Sequence, residues 1–201
     1  MRLPVPCLLI ALSVGCSSTA RTPVVPNYDP DAMAQAAMQE FDKNGDGFLD
    51  ATELNACPGL KSAVAEIDKN NDRKLSADEL KARFATYKAV GVGAISVGCT
   101  VSMNGRPLGG AAVTFTPENC MLGVIKPATA ATQSDGSVVD FQIEGVTQPG
   151  LPAGLYKVAI SKIDAGAETV PARYNAATTL GCEICTAPRG GNTVLTFSLT
   201  K

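Results

Sequence analysis

The chain contains no histidine and no tryptophan, and aromatic residues make up only 5% of its 201 positions. The missing histidine removes the usual general base, the Ser-His and Cys-His nucleophile pairs and the commonest transition-metal ligand. The net charge at pH 7 is only -2, and no run of lysine or arginine favours nucleic acid. The catalytic motifs G-x-S-x-G and H-E-x-x-H and any phosphate loop are also missing. These absences argue against an enzyme and against a nucleic-acid partner.

The first residues read as an export signal. Met1-Arg2 precede an apolar run from Leu3 to Val14, which is shorter than the ~20 residues that cross a bilayer. The run ends at Gly15-Cys16, and residues 17–27 are rich in Ser, Thr and Pro, with too little apolar content to pack. We expect a signal peptide over residues 1–15 and a flexible tether over residues 16–29.

The segment Leu-Ser-Val-Gly-Cys at 12–16 resembles a bacterial lipoprotein signal, in which the cysteine is lipidated after cleavage. The resemblance implies a lipidated Cys16, a lipid bilayer as partner, and an outer-membrane lipoprotein of the cell envelope that faces the periplasm or the surface. The family usually has leucine where Ser13 stands. Ordinary signal peptidase cleavage near Ser18 or Ala20 is therefore an alternative, and both routes export the protein.

Export places the remaining cysteines in a compartment where disulfides can form. In an oxidising compartment four of the five remaining cysteines can pair while one stays free, and the sequence does not choose among the connectivities; the candidates for disulfides are Cys99, Cys120, Cys182 and Cys185. The C-x-x-C spacing of the last two is also typical of a redox pair or of half a zinc site. Residues three apart on a straight strand lie about 10 Å from each other, too far for a bridge. Each therefore needs another partner, or the strand breaks there, and a zinc site of all four stays an alternative.

Residues 42–53 match the calcium-loop pattern D-x-[DN]-x-[DN]-G-x5-E at every position. A calcium ion takes about six to eight oxygen ligands, and a loop curled around it presents alternate residues inward. Gly47 at position 6 supplies the left-handed turn that a Cβ makes costly. The predicted ligands are Asp42, Asn44, Asp46, the Phe48 carbonyl, Asp50 and Glu53.

Residues 68–79 form a second loop of the same length. Its predicted ligands are Asp68, Asn70, Asp72, the Lys74 carbonyl, Ser76 and Glu79. Position 6 is Arg73, and a non-glycine residue held left-handed costs about 1–2 kcal/mol. The second loop also has one acidic ligand fewer, so we expect it to bind Ca²⁺ more weakly.

Helical spacing surrounds both loops, with Asp31 to Phe41 before the first and a short exiting helix from Thr52 that Pro58-Gly59 stops. A second entering helix follows, and the last helix carries Leu80, Phe84 and Tyr87. Residues 31–88 thus resemble a pair of EF-hands. Only fourteen residues, 54–67, separate the loops, which favours a structural or buffering pair over a sensor. Leu49 and Leu75 are expected to pair between the loops.

Beyond a glycine-rich hinge at 90–94 the apolar period changes to two, as in Ile95, Val97, Cys99 and Val101. Several short alternating segments with Gly, Pro and Asn turns predict an antiparallel β-sandwich over residues 95–201. The fold class is therefore α+β in two domains, an all-α EF-hand pair at 30–89 and a sandwich of prealbumin-like or Ig-like type.

The sequences at 97–117, 152–158 and 171–175 resemble the carboxypeptidase regulatory-like (transthyretin-like) domains of planctomycete envelope lipoproteins. The resemblance implies a prealbumin-like sandwich and export, but no activity. The function expected is calcium binding by an exported, membrane-anchored, non-enzymatic envelope protein with an adhesive or scaffolding role. Its expected partner is an unidentified envelope protein or polysaccharide. The alternatives are an accessory subunit of an envelope hydrolase and a thiol-active protein using Cys182 and Cys185.

Overall fold

The computed structural model describes residues 24–186 and 193–201. The predicted signal peptide and Cys16 lie outside these residues. A helical part comes first, with α1 at Pro30–Phe41, α2 at Pro58–Ile67 and α3 at Ala77–Val90. A 3₁₀ helix at Glu53–Ala56 follows the first loop. Two short strands, β1 at Phe48–Leu49 and β2 at Leu75–Ser76, join the two loops in an antiparallel ribbon.

Each helix begins where its sequence satisfies the free amide groups of the first turn. The Asp29 side chain caps α1, and Ser76 caps α3 in a reciprocal capping box with Glu79. Pro58 occupies the first position of α2, where its missing N–H is not needed. Pro58 therefore both ends the preceding turn and starts the next helix.

The strand part forms two sheets, as predicted. Its strands are β3 Ile95–Met103, β4 Arg106–Pro107, β5 Ala112–Pro117, β6 Ala128–Ala131, β7 Ser137–Val138, β8 Phe141–Ile143, β9 Val146–Gln148, β10 Gly150–Leu151, β11 Gly154–Ser161, β12 Ile163–Asp164, β13 Ala167–Glu168, β14 Leu180–Ile184 and β15 Thr193–Leu199. One sheet has the order β10-β3-β15, with β4 and β7 also paired to β3, and the other has the order β14-β11-β5-β6-β8-β9. Strands β12 and β13 form a separate small hairpin.

The sheets are antiparallel with one exception among the described pairs. Strand β15 pairs with β3 in parallel, from Thr193 opposite Val97 to Leu199 opposite Met103. The long segment between these strands provides the crossover that a parallel pair needs. The sandwich is therefore mixed at this one pair.

The core of the sandwich follows the alternation of the strands. On β11, Tyr156, Val158 and Ile160 are fully buried and face the other sheet. The Phe115 ring meets Phe141 edge-on with 5.5 Å between the ring centroids, and it meets Tyr156 at 6.3 Å. Such edge-to-face contacts stabilise a core by about 0.5–1.5 kcal/mol beyond the area they bury.

The helical part forms a third layer on the outer face of the six-stranded sheet, at β14 and β11. Gly181 lies against the start of α2, where an added Cβ would come within 2.1 Å of the Pro58 carbonyl carbon. Leu155 points outward from β11, yet it is fully buried because α2 covers it. The buried side chains of the helices and of the strands form one continuous cluster.

The residues just before α1 also join this core. Tyr28, which the sequence placed in the flexible tether of 16–29, is buried, and its hydroxyl donates to the Ala153 carbonyl at 2.6 Å. The assignment of Tyr28 to the tether is therefore wrong. An aromatic side chain with a polar tip gains enough from burial and one hydrogen bond to fix the chain at this point.

Candidate metal centre

The first loop folds around hydrogen bonds from its own backbone. The two carboxylate oxygens of Asp42 accept from the amides of Gly45 and Gly47, at 2.7 and 3.0 Å. At the other end of the loop, Glu53 accepts from the amides of Lys43 and Asp50, at 2.8 and 3.0 Å. The remaining predicted side chains also cap nearby amides: Asn44 that of Asp46, Asp46 that of Phe48, and Asp50 those of Thr52 and Glu53.

The second loop repeats most of this arrangement. Asp68 Oδ2 accepts from the amide of Arg73 at 2.9 Å, and Glu79 accepts from the amides of Lys69 and Ser76 at 3.1 and 2.9 Å. Asn70 and Asp72 each accept from the amide two residues later, that of Asp72 and of Lys74. The two loops thus match closely, and they differ at position 1, where Asp42 accepts from two amides and Asp68 from that of Arg73 alone.

Left-handed residues occupy the same two positions of both loops. In the first loop these are Gly45 and Gly47, with φ of 71° and 84°. In the second they are Asn71 and Arg73, with φ of 62° and 67°. Asparagine tolerates this conformation through its short polar side chain, whereas arginine has no such compensation. The second loop therefore carries the strain that the sequence predicted at Arg73.

A ribbon of two leucines joins the loops back to back. Leu49 pairs with Leu75 across β1 and β2, and both side chains are fully buried. The sequence prediction of this pair is confirmed. The shared ribbon therefore holds the two loops together through a packed contact.

The buried carboxylate of Asp68 shows whether the residues of the second loop fit a cation. Asp68 is 9% exposed, and its Oδ1 is a buried oxygen without a hydrogen-bond partner among the described residues. A buried polar atom left unpaired costs about 1–3 kcal/mol, more for a charged group. This oxygen belongs to position 1 of the loop, which supplies a calcium ligand in the pattern. A hard cation would satisfy it, so the residues of the second loop fit Ca²⁺.

The carboxylates are arranged around amides and do not converge on one point. Within residues 24–186 and 193–201, no three His, Cys, Asp or Glu side chains are close enough together to hold a metal. Binding would exchange some of the amide hydrogen bonds of each loop for bonds to the ion. The ligand positions in both loops therefore remain a prediction, supported by backbone conformation, loop length and the unpaired Asp68 oxygen.

Lys74 places a positive charge beside the first loop. Its ammonium group forms an ion pair with Asp46 at 3.0 Å and lies 5.3 Å from the centre of the Phe48 ring. The hydrogen bond from Lys74 lowers the pKa of the Asp46 carboxyl. The local pattern predicts only a carbonyl ligand from Lys74 in the second loop, because it does not show contacts across the ribbon. The Lys74 ammonium opposes a cation at the first loop.

Glu79 connects the second loop to α3. Burial raises the pKa of its carboxyl, but hydrogen bonds from the Ser76 amide and hydroxyl and from the Lys69 amide outweigh burial and lower it. The same carboxylate forms the capping box of α3. A ligand of the predicted metal site is therefore also the group that starts this helix.

The far end of α3 reaches the sandwich through a buried charged cluster. Arg83 donates to both carboxylate oxygens of Glu183 on β14, at 2.6 and 2.7 Å, and the Tyr87 hydroxyl donates to the same carboxylate. Hydrogen bonding to Glu183 raises the pKa of Arg83, and burial raises that of Tyr87. Sequence reasoning missed this cluster, and the only local signal was the helical spacing of Glu79, Arg83 and Tyr87.

The predicted disulfide residues are free thiols in the structure. Cys99, Cys120 and Cys182 are buried, and Cys185 is half-buried just past the end of β14. Burial raises the pKa of Cys99 to about 12 and raises that of Cys182, so neither resembles an activated redox thiol. The described residues also do not gather the four cysteines into a metal cluster, which removes the support for the zinc alternative.

Comparison with known proteins identifies one family match. The EF-hand family model matches residues 34–58, which contain the first loop, and this match supports calcium binding. No curated protein matches the chain. Among solved structures, BcpA, the major pilin subunit of Bacillus cereus, is 13% identical and has a TM-score of 0.33; the match covers 55% of this chain and 31% of the pilin.

None of the helices within residues 24–186 and 193–201 combines the length and the apolar character needed to cross a bilayer.

Proposed function

We propose that this chain is a non-enzymatic envelope protein in which Ca²⁺ bound to two loops keeps the helical layer fixed on the β-sandwich. The observation that carries the proposal is the buried, unpaired Oδ1 of Asp68 at position 1 of the second loop. The EF-hand match at residues 34–58 supports the same assignment for the first loop.

In this proposal each loop holds one ion through its own side chains and one carbonyl. The first loop would use Asp42, Asn44, Asp46, Phe48, Asp50 and Glu53, and the second Asp68, Asn70, Asp72, Lys74, Ser76 and Glu79. Calcium supplies a divalent charge that neutralises the loop carboxylates. The chain's own residues connect the second loop to the sandwich, because Glu79 caps the start of α3 and α3 carries the contacts to Glu183 on β14.

The cellular setting belongs to the same proposal. The export signal at residues 1–15 and Cys16 support an anchor in the cell envelope, where a lipid bilayer is one partner and an envelope protein or polysaccharide another. Calcium affinities of ~10⁻⁴ to 10⁻³ M are typical of extracellular modules. A site with a dissociation constant of about 0.1 mM stabilises its fold by roughly 1.4 kcal/mol at about 1 mM calcium. Two such sites raise the melting temperature by roughly 5–11 °C in a chain of this size.

Calorimetric titration of the purified full chain with calcium tests the proposal. We expect heat from two sites, and we expect Asp42→Ala and Asp68→Ala each to abolish one of them. Asp140→Ala is the matched control, because Asp140 is an exposed carboxylate of the strand part far along the chain from both loops. Absence of calcium heat, together with a melting temperature that calcium does not change, would refute the assignment.

A further inference from the structure

Two buried cysteines lie at the junction between the helical layer and the sandwich. Cys57 stands between the 3₁₀ helix Glu53–Ala56 and α2, and Cys120 lies in the 3₁₀ helix Asn119–Met121 that follows β5. Both side chains are fully buried. The two cysteines flank one contact, because Cys57 stands two residues before Gly59, Cys120 stands two residues after Glu118, and the Gly59 amide donates to the Glu118 carboxylate.

The backbone around the two cysteines fixes this proximity. The Gly59 amide donates to Glu118 Oε1 at 2.8 Å, and a Cβ added to Gly59 would come within 2.9 Å of Glu118 Cγ. On the other side, Asn119 Nδ2 donates to Glu40 Oε1 of α1 at 2.7 Å. The segments that carry the two thiols are therefore in direct contact, and neither can move away without breaking these bonds.

We propose that Cys57 and Cys120 form a disulfide that covalently joins the helical layer to the β-sandwich. The sequence alone gave Cys57 no partner, because the spacing of these residues along the chain carries no pairing signal. In the fold, Cys57 and Cys120 are fully buried on the two segments that the Gly59–Glu118 hydrogen bond joins, and hydrogen bonding to Cys120 raises the pKa of the Cys57 thiol. The half-buried Cys185 contacts the Thr86 hydroxyl at 3.7 Å.

The reaction is thiol–disulfide exchange with a small-molecule or protein disulfide as the oxidant. One cysteine thiolate attacks the oxidant and forms a mixed disulfide, releasing one thiol of the oxidant. The second cysteine then displaces the other half, which leaves as a thiol. Overall two S–H bonds of the protein are replaced by one S–S bond, and the oxidant takes up the two electrons and two protons.

The docked state protects the thiols from this reaction. The hydrogen bond to Cys120 is the largest cause that raises the pKa of Cys57, followed by burial and the charge of Glu118. The thiolate is the reactive form, so the docked, reduced protein exchanges slowly. The bond therefore forms during folding or when the helical layer separates from the sandwich. The oxidising compartment that supplies the oxidant rests on the proposed export, but the chemistry is testable without it.

Oxidative refolding of the purified full chain with glutathione disulfide provides the test, read by mass spectrometry of non-reduced digests. Trypsin alone leaves Cys99 and Cys120 in one peptide, because Arg106 and Lys126 both precede proline. A second digestion at glutamate separates them after Glu118. We expect a linked peptide of Cys57 and Cys120, lighter by two hydrogens than the sum of its parts. Recovery of both cysteines as alkylated thiols, or joined to other cysteines, would overturn the proposal.

Variants sharpen the result. Cys57→Ser and Cys120→Ser should each abolish the linked peptide, whereas Cys185→Ser should leave it in place. If either serine variant fails to fold, oxidised and reduced wild-type protein are compared directly, and the oxidised form should melt several degrees higher because its unfolded chain is cross-linked. Equal melting temperatures would contradict the link.

Repeating the oxidation with and without calcium distinguishes this inference from the proposed function. Oxidation of folded, reduced protein should slow at least severalfold in 1 mM-range calcium if the loops hold the helical layer in place. A linked peptide with no calcium effect would uphold the disulfide and count against the proposed calcium role. If no linked peptide forms but calorimetry finds two calcium sites, the disulfide is refuted and the calcium role is upheld.

Discussion

Replacing Glu183 by glutamine tests whether the helical layer is fixed by its charged cluster. Glu183→Gln keeps the size of the side chain and removes the negative charge that Arg83 and Tyr87 share. The side chains of Arg83 and Glu183 are only 15% and 9% exposed. The variant therefore leaves a guanidinium group largely cut off from water, with no opposite charge to compensate it.

The size of the loss follows from this burial. Removing one partner of a buried ion pair costs about 3–5 kcal/mol. Since Arg83 keeps some contact with solvent, we expect about 2–4 kcal/mol, which lowers the melting temperature by roughly 5–15 °C in a chain of this size. The double variant Arg83→Met with Glu183→Leu removes both charges and should recover most of the loss.

Thermal unfolding followed by far-ultraviolet circular dichroism and by tyrosine fluorescence measures the effect. Lys81 and Asp31 provide the control, because their ion pair also involves α3 but the two side chains are 51% and 72% exposed. Asp31→Asn should shift the melting temperature by only a degree or two, as exposed pairs contribute little. A Glu183→Gln protein with the melting temperature of the wild type, or a double variant no more stable than the single one, would refute the reasoning.

Three further changes have defined outcomes. Arg73→Gly relieves a left-handed arginine (φ 67°), and after the entropy that glycine adds to the unfolded chain we expect a net gain of about 0.5–1 kcal/mol in chemical denaturation. Gly181→Ala drives a Cβ to 2.1 Å from the Pro58 carbonyl carbon and should cost at least 1–3 kcal/mol. Glu118→Gln should stabilise the protein more at about pH 7 than at about pH 4, measured as the difference in melting temperature from wild type.

The sign of the Glu118 prediction follows from its burial. Burial raises the pKa of its carboxyl from the ordinary value of 4.5, and the Gly59 amide and Lys157 offset this only in part. The folded protein thus holds this proton more tightly than the unfolded chain. The stability from Glu118 is highest below pH 4.5 and falls as the pH rises through the folded pKa, whereas glutamine stays neutral throughout. A difference in melting temperature that shrinks toward neutral pH would contradict this assignment.

Each of the other two changes has a control at a comparable backbone position. Gly98→Ala places a Cβ on β3 at 3.9 Å from its nearest neighbours, an ordinary contact, so its stability should match wild type or exceed it slightly. Asn71→Gly is a comparison for Arg73→Gly, since asparagine already tolerates a left-handed conformation. A Gly181→Ala protein as stable as Gly98→Ala, or an Arg73→Gly protein less stable than wild type, would contradict the corresponding prediction.

The sequence predicted those features that depend on local spacing. Alternation located β3, and the twelve-residue pattern located both loops and the pairing of Leu49 with Leu75. Val139, Phe141 and Ile143 also alternate with polar residues, a pattern that predicts one shared buried face, but Val139 is 54% exposed. Strand β8 begins only at Phe141, and Val138 on β7 takes the inward position. A short alternating segment cannot show where one strand stops and the next begins.

The contacts between distant segments were beyond such patterns. Gly181 reads as a weak strand residue, yet it is required because α2 approaches its backbone. Glu183 reads as an outward, solvent-facing residue of β14, yet α3 covers it and supplies its partner. In both cases the missing information is the presence of a third layer, which belongs to tertiary packing and leaves no period in the sequence.

The parallel pairing of β3 with β15 also determines when the strand part can finish folding. These are the first and the last strands of the sandwich, and β3 has no other long partner in its sheet. Contacts between segments so far apart slow folding, because the intervening chain must be ordered first. During synthesis β3 therefore waits with an open edge until β15 has emerged, and an unpaired edge of this kind invites pairing with a neighbouring chain. Folding of the sandwich is thus completed only after β15 has left the ribosome.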